Sequence, residues 1–141
     1  MQLQLVTLSG SKFDQDVYEV VIPTVDGDIG VFPGHEPLVT LARTGVIHVR
    51  RKATDPVDKL EYFAISGGIV EINGDHVKVL VDEADHGEDI IEAESQAALE
   101  LALKLRDQAT DQVELEKAHQ LVDRHMVRLK VADLHRRHRR G

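Results

Sequence analysis

The residues in this chain that could do chemistry are histidines, arginines and one serine, and their spacing limits what they can do. Eight histidines suggest a metal site, but His35, His48, His76 and His86 are scattered and none falls in an HExxH or HxH pattern. His135 and His138 stand three apart among arginines, which would repel a cation. The run Ala64-Ile65-Ser66-Gly67-Gly68 nearly imitates the GxSxG nucleophile elbow, but alanine replaces its first glycine and no helix follows. A glycine-rich bend beside close-packed strands is the expectation there. No Walker A or GxGxxG motif occurs, and the acidic stretch 82–94 contains no EF-hand calcium-binding loop. Cysteine is absent, which excludes disulfides, thiolate chemistry and Cys-based zinc sites. The expectation is a protein with no catalytic constellation, no metal and no cofactor.

The arginines are more informative. Arg124 and Arg128 form an i, i+4 pair that could grip a phosphate or a carboxylate with forked donors, or simply edge a solvated helix. The formal net charge of −8 opposes nucleic-acid binding. That charge is unevenly placed. Asp82 to Glu100 holds eight acids and no lysine or arginine, whereas Lys130 to Gly141 holds five lysines and arginines against Asp133 alone. The basic end, with Arg136, Arg137, Arg139 and Arg140, reads either as a solvated tail or as a surface for an acidic target.

Two architectures must position these residues. Up to about Val81, short β-rich runs recur at sandwich-like intervals: 17–23, 37–41, 45–50, 60–65 and 76–81. Asp26-Gly27 and Asn73-Gly74 mark tight turns, the second joining IVEI to HVKVLV as a hairpin. After Gly87 the period becomes helical. Ile90, Ala93, Ala97, Leu101 and Leu105 share one face of a first helix, whose first turn is acidic as the helix dipole favours. A polar break at 107–112 forces an antiparallel return, and Leu115, Ala118, Val122, Met126, Leu129 and Ala132 line a second helix. Each helix has one apolar stripe, so the pair must rest on the sandwich, on a partner, or alternate between them. The expected boundaries are 1–85 for an antiparallel β-sandwich and 86–141 for an α-helical hairpin with its basic tail. No apolar run is long enough to cross a bilayer, and the alternating N-terminus reads as neither a signal nor a transit peptide.

The segments DGDIGVFPGHEPLVT (26–40) and ISGGIVEINGDHVKVLVDEAD (65–85), followed by RHMVRLKVA (124–132) in a terminal hairpin, resemble the epsilon subunits of F-type ATP synthases over essentially the whole chain. The resemblance implies a non-catalytic subunit of the central stalk that couples proton translocation to ATP synthesis. It would bind the gamma subunit and the c ring, peripheral to the cytoplasmic face of a bacterial plasma membrane. It also implies that Asp28 faces the c ring and His35 faces gamma. The hairpin would inhibit ATP hydrolysis when extended, its basic end (Arg136, Arg137, Arg139 and Arg140) reaching acidic loops of the catalytic alpha and beta subunits. Some relatives bind ATP through a first-helix motif together with arginines matching Arg124 and Arg128. Here that motif is replaced, with Ile91, Glu94 and Ser95 in place of its aspartate, arginine and alanine, which predicts weak or absent nucleotide binding. A generic sandwich adaptor with a helical docking arm is the alternative reading, and an enzyme a more distant one.

Overall fold

The computed structural model describes residues 1–140. The side chains of residues 139 and 140 fall outside the described set, and with them the expectations for Arg139 and Arg140.

Ten strands come first: β1 (Gln2–Thr7), β2 (Gly10–Asp16), β3 (Glu19–Thr24), β4 (Gly27–Val31), β5 (Leu38–Ala42), β6 (Gly45–Arg50), β7 (Glu61–Ile65), β8 (Gly68–Asn73), β9 (His76–Val81) and β10 (Ala84–His86). Two helices follow, α1 (Glu92–Gln108) and α2 (Gln112–Arg140). The strands run in the order β10-β7-β6-β3-β5-β8-β9-β1-β2, with β4 added to β3, and curl into the two layers of a sandwich. Every pairing is antiparallel except β1 with β9, which run parallel. That one parallel pair departs from the all-antiparallel expectation; a parallel neighbour must come from far along the chain, and β1 and β9 are separated by most of the sandwich.

Local chemistry accounts for the turns. Asn73 pairs with His76, so Gly74 and Asp75 form the tip of the β8–β9 hairpin, with Gly74 at φ +60°. At the β3–β4 turn Gly27 takes φ +109°, while the Thr24 hydroxyl donates to the Gly27 carbonyl and accepts from the Asp26 N–H. Positive φ falls on glycine alone among the described residues, so Asp26 and Asn73 do not carry it. At the near-elbow, a Cβ on Gly68 would lie 1.9 Å from the Leu80 carbonyl oxygen, which leaves room for no other residue. Ser66 is buried there, and its hydroxyl accepts the Glu83 N–H at 2.9 Å. Its role is structural.

The main core lies between the layers and contains Leu3, Leu5, Val20, Ile22, Val31, Ile47, Val49, Phe63, Val70, Ile72, Val77 and Val79. Strand β7 differs from the others because it is buried on both faces. Phe63 and Ile65 point into that core, whereas Tyr62 and Ala64 join Ile90, Val131 and Ala132 in a second apolar cluster beneath α2. The unbroken apolar run YFAI is the sequence mark of a covered strand.

The hairpin therefore rests on the sandwich. Its turn is capped reciprocally: Asp111 accepts the Glu114 N–H at 2.8 Å, and the Glu114 carboxylate accepts the Thr110 N–H at 3.1 Å. The two helices pack along each other, and on α2 Ala118, Val122 and Ala132 are buried as the stripe predicts. Met126 departs from that stripe and is 55% exposed. On α1 the buried face is a different one. Ser95 and Ala102 are buried, with Ala98, Leu99 and Leu103 partly covered, while Leu101 and Leu105 remain 60% and 45% exposed. Small residues won the contact because they let the helix axes approach, which leaves the expected stripe from Ala93 through Ala97 and Leu101 to Leu105 on the outside.

Candidate partner-binding surfaces

Asp28 is the second residue of β4, opposite Pro23, and its carboxylate is 4.0 Å from the Arg43 guanidinium with both side chains largely exposed. His35 follows the other end of the same strand, in the loop before β5; it is half-buried, and its Nδ1 lies 2.6 Å from the Glu36 carbonyl oxygen. The two candidates are thus at opposite ends of β4. Beyond the His35 loop, β5 presents Val39 and Leu41 to solvent, Val39 being 72% exposed. Leu41 pairs with Ile69, also exposed, and Val39 with Glu71, which in turn faces Lys78 on β9. A contiguous apolar row on an outer sheet face, rimmed by charge, marks a binding surface. Sequence reasoning missed it. The signal was the apolar residue at both alternating positions of PLVTL, since one face of that strand had to be left uncovered.

The second surface is the seam between α2 and the sandwich. Arg124 pairs with Glu83 at 3.2 Å and Arg128 with Asp85 at 2.5 Å, the Arg128 Nε also reaching the Ser95 hydroxyl at 3.4 Å. Arg136 bridges Glu92 in the first turn of α1 and Asp133, and Arg137 also pairs with Asp133. At the end of α2, His138 lies 2.8 Å from the Val57 carbonyl oxygen and 3.3 Å from the Tyr62 hydroxyl. In this conformation Arg136 and His138 draw the end of the helix against α1 and the sandwich.

Charge within the seam is matched in most places. Burial would raise Glu61, but hydrogen bonds from His86 and Arg51, with the Arg51 and His86 charges, outweigh it and bring it down to about 2. The hydrogen bond to Glu61 raises His86 in return, against its own burial. On α2, burial and then the neighbouring Arg128 and Arg124 push His125 down, so it stays neutral at pH 7. The His125 Nδ1 and the Arg124 Nε are buried without a hydrogen-bond partner.

Arg124, His125 and Arg128 line a cavity of about 310 Å³ together with Glu83, Glu94 and Ser95. A nucleoside triphosphate does not fit this donor set. Both guanidinium groups are already committed to carboxylates, and Glu94 adds a further negative charge where a phosphate would have to sit.

Among the described residues no cluster of three or more His, Asp or Glu could hold a metal ion, and no helix is long and apolar enough to cross a membrane. A two-layer sandwich with an open apolar face, carrying a helical hairpin fastened by ion pairs, is the design of a partner-binding subunit. The ATP synthase delta/epsilon chain beta-sandwich domain family matches residues 1–87. The chain is 32% identical over 140 residues to the ATP synthase epsilon chain of Neisseria meningitidis serogroup C, covering 99% of this chain and 98% of that one. It is 34% identical over 138 residues to the epsilon chain of Herpetosiphon aurantiacus, covering 96% of each. Among solved structures, a chain of the Euglena gracilis mitochondrial ATP synthase superposes with a TM-score of 0.75 at 26% identity, covering 94% of this chain and 80% of that chain. The chain belongs to the ATP synthase epsilon family, the non-catalytic subunits of the central stalk.

Proposed function

We propose that the sandwich holds this subunit permanently to the rotor, while the hairpin moves between a docked and an extended position and inhibits ATP hydrolysis when extended. In this reading the gamma subunit covers the His35 loop and the Val39, Leu41 and Ile69 row, and the c ring meets the Asp28 end of β4. The subunit then turns with the rotor at the cytoplasmic face of the membrane and couples proton flow to ATP synthesis. The observation that carries the two-position reading is the exposed α1 stripe. A helix with one apolar face against α2 and another facing water has a second partner to meet. Extension would free Arg136 from Glu92 and, with Arg137, Arg139 and Arg140, present it to acidic loops of the catalytic alpha and beta subunits.

The test is ATPase inhibition after adding the chain back to epsilon-depleted synthase. A chain ending at Leu134 and a variant with Arg136, Arg137, Arg139 and Arg140 changed to alanine are both expected to inhibit less than the wild type while still binding gamma. The difference should fade near 1 M salt, where the Debye length falls to roughly 3 Å. Equal inhibition by all three at low salt would show that the tail is a solvated end.

A further inference from the structure

We propose that this chain fastens its hairpin with its own charges, Glu83 and Asp85 of the sandwich occupying Arg124 and Arg128, as a salt-sensitive latch that needs no nucleotide. The inference rests on the two-position reading of the hairpin and names what regulates it.

Geometry supports the latch first. Arg124 and Arg128 are four residues apart on a helix, a rise of about 6 Å. Glu83 and Asp85 are two residues apart in the extended chain entering β10, a rise of about 6.8 Å. The two spacings match, so both pairs form in one register, and a shift of α2 along the sheet loses both. Specificity of position therefore comes from the charges. The apolar seam beside them is modest, since two of its five buried members, Ala64 and Ala132, are alanines.

Electrostatics points the same way. His125 lies between the two arginines, and its neutral state keeps a third positive charge from competing for the two carboxylates. From α1, Ser95 adds a hydroxyl to Arg128 and Glu94 adds a carboxylate to the cavity, so all three elements contribute to the arginines' surroundings. An incoming polyanion would have to displace Glu83 and Asp85 and then sit beside Glu94. The two ion pairs are only partly buried, and each alone contributes modestly; acting in one register they add.

The absence of cysteine makes the test clean. Dyes on Asp75→Cys, at the β8–β9 tip, and Glu116→Cys, on exposed α2, report hairpin position by energy transfer in the isolated full-length chain. Sodium chloride is raised from roughly 0.01 to 1 M, over which the Debye length falls from about 30 to 3 Å. The wild type is expected to move from docked toward open. Arg124→Gln with Arg128→Gln, and separately Glu83→Gln with Asp85→Asn, should each lower the docked-to-open ratio about tenfold at low salt and flatten the salt response. Exchanging all four charges (Glu83→Arg, Asp85→Arg, Arg124→Glu, Arg128→Glu) should restore docking. Millimolar ATP should leave the wild-type curve unchanged. Double variants that stay as docked as wild type at every salt concentration would overturn the latch, as would ATP strengthening the wild-type docked state. Far-UV circular dichroism separates opening from unfolding. No synthase is present, so failure here leaves the inhibition test standing, and failure there leaves this one standing.

Discussion

The sandwich interior and the seam beneath α2 both bury apolar side chains, but they are held by different means. Between the layers, Leu5, Val20, Ile22, Ile47, Val49, Val70 and Val79 are fully buried, and large side chains interlock from both sheets. Beneath α2 the cluster is smaller and rich in alanine, and ion pairs surround it. A region built by packing has one arrangement. A region built from a thin apolar contact and charge can be undone without unfolding either side.

The largest effect that tests this contrast is a cavity in each region. Phe63→Ala, which removes a ring stacked edge-on to Phe13 in the main core, should cost about 3–5 kcal/mol of global stability by urea unfolding. Val131→Ala, equally buried but on the seam, should cost about 1–2 kcal/mol and appear mainly as hairpin release. By the same reasoning a chain ending at His86 should unfold cooperatively with β-type circular dichroism. A global loss from Val131→Ala as large as that from Phe63→Ala would make the seam part of the core.

A smaller effect follows from Glu61, which ties β7 to His86 on β10 and to Arg51. Its folded value is about 2 against an ordinary 4.5, so its contribution is complete above pH 4.5 and is lost as pH falls toward 2. The size is on the order of 2 kcal/mol. His86 runs the other way: its raised value stabilises the fold in full below 6.5, and that contribution is lost as pH rises past 6.5 through the higher folded-state value. Thermal melts of Glu61→Gln should show a flatter acid limb than the wild type, and an unchanged limb would remove Glu61 from the account.

The smallest effect belongs to the outer stripe of α1. Leu101→Ser with Leu105→Ser should change the stability of the isolated chain by no more than about 0.5 kcal/mol per site. A loss of several kcal/mol would mean that the stripe is covered after all.

The strand region was legible because its signals are local. The runs at 45–50, 60–65 and 76–81 lie on β6, β7 and β9 to within a residue, and Asn73-Gly74 lies at the β8–β9 hairpin. The helical period after Gly87 was equally plain, and so was the polar break between the helices. Less legible were β2 and β10. Strand β2, GSKFDQD, buries only Phe13 and so shows almost no alternation, and β10 is three residues long. At the candidate surfaces, the spacing of Arg124 and Arg128 was visible in the sequence, but their partners Glu83 and Asp85 were hidden within an acidic run.

By itself the sequence determined the order of a sandwich and a helical hairpin, the glycines at the turns, the absence of thiol chemistry and the segments that place the chain in its family. These rest on periodicity and on backbone freedom, which act over a few neighbouring residues. Only the tertiary structure decided which face of α1 is buried, which carboxylates hold the arginines, and that β1 runs parallel to β9. Those outcomes depend on how closely two surfaces can approach and on what charge lies opposite. Helix α1 carries two apolar faces of nearly equal merit, and the smaller side chains won the interior because they permit the closer contact.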